Sequence, residues 1–467
     1  MGLTQRLGRT GSDKAASANR KAGARTSRPE RGDAKNPKPR RTNARRSSFG
    51  DAPAAPRRSL RQRFAELWQR IDGERAAKWP EVTGPADAVL MGTVVALVAF
   101  GVVMVYSASA VLAYSRHDTG QYYLIRQGIF AAVGLPTMVL LARFDYHRLR
   151  GLTYVMLGGA TGLLFLSAFG LGKTAGGASR WIRLGPINIQ PAEIVKVAMI
   201  CWLAYSLSKK REQIRSFSVG FLPHVLMAGF LMVLCLKQPD FGSAVMIALL
   251  TFVLLFTAGA RLGYMLGAGM LALPIVYYLV TSSEYRMRRI TAFLEPFEHR
   301  YTAGYQIAES LMSFGSGGVT GIGLGDSRQK LFFLPEAHTD FISAIVGEEL
   351  GFMGFLGLVG FFLLLVVRGL RAAYRAPDDY GTYLAVGVTM FVGLQAFTNL
   401  AVAVGLLPTK GLVLPFISYG GSALLVNCAA IGILLNVSRP RRGAPMSAMR
   451  ASRGKSNLRV ASAGGVS

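Results

Sequence analysis

Cysteine is scarce: Cys201, Cys235 and Cys428 are the only three in 467 residues, each inside an apolar run with no CxxC spacing. That pattern excludes a disulfide framework and a thiolate metal site and leaves packing as their role. Charge is scarce too. With 17% of residues charged against 51% hydrophobic, a single water-soluble domain is ruled out. Acidic residues are fewest, 25 against 53 Lys and Arg, for a formal net charge of +28. These charges crowd into the two ends and into short segments between long apolar runs, as in a polytopic membrane protein with basic edges. No apolar stretch precedes residue 88. A signal-peptide core is therefore missing, and the first apolar run reads as an uncleaved anchor.

What is present begins with a tail. Residues 1–58 are rich in Arg, Lys, Ala, Ser, Gly and Pro and nearly devoid of aliphatic and aromatic side chains, so they are expected to be a disordered basic cytoplasmic tail. The tail has neither interleaved aromatics nor a nucleic-acid module, so no nucleic-acid partner is expected, and a lipid-facing, topogenic role fits its charge. Over residues 59–85, Leu60, Phe64, Leu67 and Ile71 recur at helical spacing between Arg61, Arg63, Arg70 and Arg75. A juxtamembrane amphipathic helix on the membrane surface is expected, with docking to a partner protein as the alternative.

Ten apolar runs long enough to cross a hydrocarbon core of about 30 Å lie near 88–110, 124–142, 151–170, 189–207, 218–236, 241–258, 263–282, 341–367, 382–404 and 416–437. The expected fold is an all-α polytopic membrane protein of ten transmembrane helices. Residues 1–86 hold 21 Lys and Arg against 8 Asp and Glu, which places the N-terminus in the cytoplasm. An even number of spans returns the basic tail of residues 439–467 to the same side. The large connection between spans 7 and 8, about 283–340, then faces outward, and function is expected to concentrate there.

Charges at or inside a membrane are costly and mark candidate functional residues. Arg180 opens the fourth span. Glu193 and Lys196 follow at i,i+3, either as a structural ion pair or as the polar wall of an outward cavity. Asp240 follows a proline-broken junction and could cap the next helix. Arg286, Arg288 and Arg289 suit bidentate phosphate contact or a solvated face. Glu336, His338 and Asp340 fall within five residues at a lipid–water boundary, where apolar surroundings can raise a carboxylate into the working range of a general base; the alternative is a helix cap by Asp340. Glu348 and Glu349 are expected to pair with basic residues of neighbouring helices. Lys410 stands between Pro408 and Pro415, placed either to neutralise an anionic headgroup or to snorkel. The glycine clusters at 315–318 and 321–325 lack the strand of a nucleotide loop and suit close backbone approach instead.

Taken in order, Ser179-Arg180-Trp181-Ile182 with Gln190-Pro191-Ala192-Glu193, Gln238-Pro239-Asp240, Tyr305-Gln306, Ser316-Gly317-Gly318, Pro335-Glu336-Ala337-His338-Thr339-Asp340-Phe341 and Ile417-Ser418-Tyr419-Gly420-Gly421-Ser422 resemble the SEDS (shape, elongation, division and sporulation) family over about 86–438. Pro408-Thr409-Lys410-Gly411 looks like its cell-division branch.

The resemblance implies a peptidoglycan glycosyltransferase that polymerises lipid II at the division septum in the bacterial inner membrane. Undecaprenyl pyrophosphate would be the leaving group and the transfer inverting. It assigns Asp340 as catalytic base. Lys410 matches the family's lysine of the last outer loop, and it could stabilise the leaving group together with Arg288 or Arg289. Glu336, His338, Asp240, Arg180 and Glu193 complete the expected substrate-binding set. No certain cofactor is implied, though a divalent cation, Mg or Mn, would suit the pyrophosphate. The expected partners are a single-span class B penicillin-binding transpeptidase and other division proteins. Phe332 and Phe333 stand where some relatives carry an acidic residue. A lipid II flippase and a non-catalytic division scaffold remain the alternatives.

Overall fold

The computed structural model describes residues 81–171, 173–175, 178–184, 187–409 and 411–441. The expected disordered tail of 1–58, residues 59–80 of the expected amphipathic helix, Lys410 and residues 442–467 lie outside the described residues. Residues 81–85 are not helical: Val82 forms an antiparallel bridge with Arg441.

Among the described residues, ten helices are long and apolar enough to cross a membrane. They are built on α1 (Ala88–His117), α2 (Tyr122–Arg143), α3 (Leu149–Leu166, within a span of Tyr146–Phe169), α4 (Pro191–Lys209), α5 (Leu222–Lys237, within a span of Phe217–Lys237), α6 (Phe241–Ala258) and α7 (Leu262–Thr281). After α8 (Glu284–Leu294), α9 (Tyr305–Gly317) and α10 (Ile342–Glu349), three more spans follow: α11 (Gly351–Arg375), α12 (Asp379–Ala403) and α13 (Gly421–Ser438). The eighth span thus begins ten residues later than the expected 341. Gly351 has φ +66°, and a Cβ there would lie 2.3 Å from Gly321 N, so only glycine turns the chain at this point. Residues 342–349 become a separate, fully buried helix. A second difference is a short antiparallel sheet in the order β1 (Lys173–Ala175), β2 (Ala178–Leu184), β3 (Ile187–Ile189), between α3 and α4.

Burial sorts the spans. In α4, α12 and α13, 83%, 78% and 72% of the most apolar window is buried, against 6% in α7. The first three form the centre, and α7 stands at the periphery. The central helices therefore hold polar side chains away from lipid. Lys196 Nζ lies 2.7 Å from Glu193 Oε1, with both side chains fully buried, and Gln395 of α12 donates to the same oxygen at 3.4 Å. Where α2 crosses α13, a Cβ on Gly432 would lie 2.6 Å from the Met138 carbonyl, so glycine sets how closely the two helices approach.

Both ends of the membrane unit meet on one face, here the tail face. Arg368 binds Asp87, the α1 cap, at 2.6 Å, and Arg441 binds Asp145 at 3.2 Å. Burial pushes the Asp145 carboxyl up, but hydrogen bonds from His147 and Arg441 outweigh it and hold the group well below the ordinary range. The connection between α7 and α11 occupies the opposite loop face.

A buried pair of this kind is weak as a net stabiliser but costly to break, because the survivor is an uncompensated charge. Glu193→Gln should therefore lower the stability of the detergent-solubilised protein by about 3–5 kcal/mol. Paired replacement with Glu193→Met and Lys196→Met should restore most of the melting temperature. Equal melting of Glu193→Gln and wild type would show that the pair is not buried as described.

Candidate active site

The loop-face site grows from the turn that ends the long connection. Glu336 adopts a left-handed conformation, φ 57°, and its carbonyl accepts from the N–H groups of Thr339 and Asp340 at 3.1 Å and of Phe341 at 3.3 Å. The Glu336 side chain accepts from Thr339 Oγ1 at 2.8 Å and is exposed to solvent. Leu334, Ala337 and Phe341 point inward and are buried, anchoring the turn by its apolar side chains.

Asp340 keeps part of its surface open while protein fills most of the volume around it. Burial pushes its carboxyl up to about 7, helped by the Glu336 charge and opposed by Arg289 and Arg180. The last loop faces it. A Cβ on Gly411 would sit 3.4 Å from Asp340 Oδ2 and 3.6 Å from Arg180 Nη1, so carboxylate and guanidinium flank the same point.

Backbone carbonyls aim Arg180: it donates to Gln238 O at 3.3 Å and to Pro239 O. Gln238 is itself held by Leu164 O at 2.8 Å. Asp240, two residues on, caps α6, accepting from Ser243 N at 3.1 Å and Ser243 Oγ at 2.7 Å. Arg289 donates from α8 to Thr409 O at 3.0 Å, reaching the last loop. Arg288, one residue earlier, points elsewhere, pairing in solvent with Glu284 at 2.5 Å.

His338 is buried against the rings of Tyr123 and Tyr419, with centroids at 4.8 and 5.8 Å. Burial lowers its pKa, against the pull of Glu336. Its carbonyl accepts from Tyr419 N at 2.9 Å, stitching the turn to the last loop.

The fold thus brings Asp340, Arg180, Arg289, Glu336 and His338 to one region. It places Glu193 with Lys196 in the bundle and Arg288 on the exposed side of α8. Glu348 and Glu349 bind the connection itself: Glu348 accepts from Ser327 Oγ and from Arg328 N at 3.1 Å, and Glu349 lies 3.1 Å from Lys330. Among the described residues, no group of three or more His, Cys, Asp or Glu side chains comes together to hold a metal ion. Asp340 with the nearby Glu336 offers too few ligands for a metal ion caged by protein alone, but one or two carboxylates would suit a Mg or Mn ion held chiefly by the phosphates of a substrate.

Sequence reasoning missed Asn399. Its buried side chain donates to Asp340 O and to Leu412 O, both at 2.8 Å, and accepts from Ser343 Oγ at 3.2 Å. The available signal was an amide inside the apolar run of 382–404. Ser418 does similar work, donating to Thr339 O and accepting from Leu414 N at 2.9 Å.

The family whose model is described as a cell cycle protein, that of FtsW, RodA and SpoVE, matches residues 87–443. The chain belongs to the FtsW/RodA/SpoVE family. Its similarity to the FtsW branch is pronounced: a probable peptidoglycan glycosyltransferase FtsW of Geobacter sulfurreducens is 49% identical over 360 residues, covering 77% of this chain and 96% of the relative. Stage V sporulation protein E of Bacillus subtilis is 41% identical, covering 76% and 98%. Among solved structures, RodA of Thermus thermophilus superposes with TM-score 0.58 at 30% identity, covering 77% and 98%. A chain from a study of how a peptidoglycan synthase complex coordinates polymerization and crosslinking gives 0.64 at 30%, covering 76% and 97%. The chain is thus an FtsW-type SEDS protein with a multi-pass membrane fold.

Two measurements follow from the site. Asn399→Ala removes the donor from the buried Leu412 carbonyl, at about 1–3 kcal/mol, and from the part-buried Asp340 carbonyl. A lower melting temperature is expected, with faster amide exchange at 338–341 and 411–414; unchanged exchange there would contradict the bridge. The second is pH-dependent. The folded chain binds the Asp340 proton up to about pH 7, whereas an ordinary carboxyl releases it near 3.8. The native state therefore holds more protons in that window, and stability falls as pH rises through it. Asp340→Asn should melt above wild type at pH 8 and level with it below about pH 4. A difference independent of pH would refute the raised pKa.

Proposed function

We propose that Asp340 is the general base of this peptidoglycan glycosyltransferase, acting on lipid II at the division septum. The 4-hydroxyl of the acceptor's GlcNAc attacks the anomeric carbon of the lipid-linked strand. As the new C–O bond forms, Asp340 takes the hydroxyl proton, the bond to phosphate breaks and undecaprenyl pyrophosphate departs with inversion. The observation that carries this reading is the carboxyl of Asp340, partly open and raised to about 7, beside two guanidinium groups. A base with that pKa accepts a proton at neutral pH without being permanently protonated.

Arg180 and Arg289 are placed to stabilise charge growing on the pyrophosphate, and Lys410 is assigned the same task. Their backbone contacts already hold the two arginines in position, so little reorganisation accompanies the reaction. Arg288 is left out of the site because it pairs with Glu284 in solvent. Glu336 and His338 shape the acceptor side, and Asp240 acts through the junction that holds Arg180. Glu193 is given a structural task.

In this reading the loop face is extracytoplasmic, both tails are cytoplasmic and the membrane is the bacterial inner membrane. The similarity to a chain of a peptidoglycan synthase complex supports a single-span class B penicillin-binding transpeptidase as partner, with other division proteins.

Asp340→Asn keeps the shape of the side chain and removes proton acceptance. Glycan polymerisation from lipid II by the purified protein with its transpeptidase should fall by roughly 10²-fold or more. In wild type, the rate should rise with pH through about 7, as the base ionises. Wild-type-like polymerisation by the variant would overturn the assignment. Loss of lipid II translocation in vesicles that never polymerised it would point to transport instead.

A further inference from the structure

A groove away from the loop-face site shares none of its residues. It lies between α1 and α2, has a volume of about 820 Å³, and is lined almost wholly by apolar side chains with Arg143 at its mouth. Its floor is made by residues with little side chain, Gly92, Ala96 and Ala99 on α1. A Cβ built on Gly92 meets nothing within 4 Å, so this space is open down to the backbone. On α2, Pro136 stands inside the helix, where its ring interrupts the hydrogen-bond ladder and favours a bend. Val95 and Leu140, 41% and 67% exposed, form the walls.

Length identifies the occupant. The groove runs from Ala88, the first residue of α1, to Ala99, and at 1.5 Å per residue that is about 17 Å. This is one leaflet of a hydrocarbon core of about 30 Å. An acyl chain entering from the tail face fills it, whereas a membrane-spanning partner helix would need a groove about twice as long.

Charge selects the headgroup. Arg143 is the last residue of α2, exposed at the tail-face end, and makes no hydrogen bond or ion pair with other described residues. Asp87, the carboxylate that caps α1 at the same end, is already neutralised by Arg368 at 2.6 Å. The mouth is thus a cation above an apolar slot.

We propose that the α1–α2 groove is a binding site for one anionic phospholipid, its acyl chain on Gly92, Ala96 and Ala99 and its phosphate at Arg143. The lipid fills a gap that the two helices leave between them and tethers the tail-side end of α2.

The test is native mass spectrometry of the full chain in detergent, with added phosphatidylglycerol or phosphatidylcholine of identical acyl chains. Wild type should retain phosphatidylglycerol roughly fivefold more than phosphatidylcholine, the ratio that one basic residue at a membrane surface gives. Arg143→Gln should erase that preference. Gly92→Leu and, separately, Ala96→Leu should fill the slot and reduce retention of both lipids; melting temperatures identify any variant that fails to fold. Equal retention of the two lipids by wild type, or unchanged retention in a folded slot-filling variant, overturns the proposal. A photocrosslinker at position 96 in membranes should capture lipid, and capture of a protein helix there would overturn it as well.

Discussion

One buried amide holds the loop face together. Asn399 projects from α12, a central helix, and binds the carbonyl of Asp340 and the carbonyl of Leu412, which belong to segments far apart in the chain. Carbonyls packed away from water, as that of Leu412 is, need an internal donor. An amide with two N–H groups meets two of them at once. That link joins the turn carrying Asp340 to the last loop, alongside the bonds from Tyr419 N to His338 O and from Ser418 Oγ to Thr339 O.

Around it, main-chain carbonyls help to aim the two guanidinium groups nearest Asp340. Arg180 donates to the carbonyls of Gln238 and Pro239, and Arg289 to that of Thr409. Their fields reach Asp340 but do not overcome its burial, so the carboxyl ends near neutrality instead of well below it. The tail face is built on direct ion pairs. There Asp87, Asp145 and Asp378 meet Arg368, Arg441 and Arg150 directly, and Asp145 and Asp378 are held below the ordinary carboxylate range. Carboxylates locked in this way serve as clasps between the first, third, eighth, ninth and tenth spans, while the loop face keeps a titratable one.

The family comparisons and the geometry meet in the same segments. The match over residues 87–443 takes in every described span. The motif residues contribute in different ways: Asp340 supplies a reactive group, Ser418 and Gln238 supply contacts that orient other segments, and Glu193 supplies an internal counter-ion in the bundle.

The sequence by itself determined the ten spans, the long connection and the segment 334–341 as the place to look. Apolar runs of about 20 residues and costly interfacial charges are local properties that need no partner to be read. It could not tell Arg288 from Arg289. Neighbouring helical residues differ by about 100° in direction, and only the packed position of α8 turns one toward Thr409 and the other into solvent. The break at Gly351 was likewise hidden inside an apolar run, because its φ of +66° answers to the backbone of residues 319–321 rather than to its neighbours in sequence. Asn399 read as one polar residue in an apolar span, and only the tertiary structure decided its partners, since hydrogen bonds between distant segments exist once the chain has brought them together.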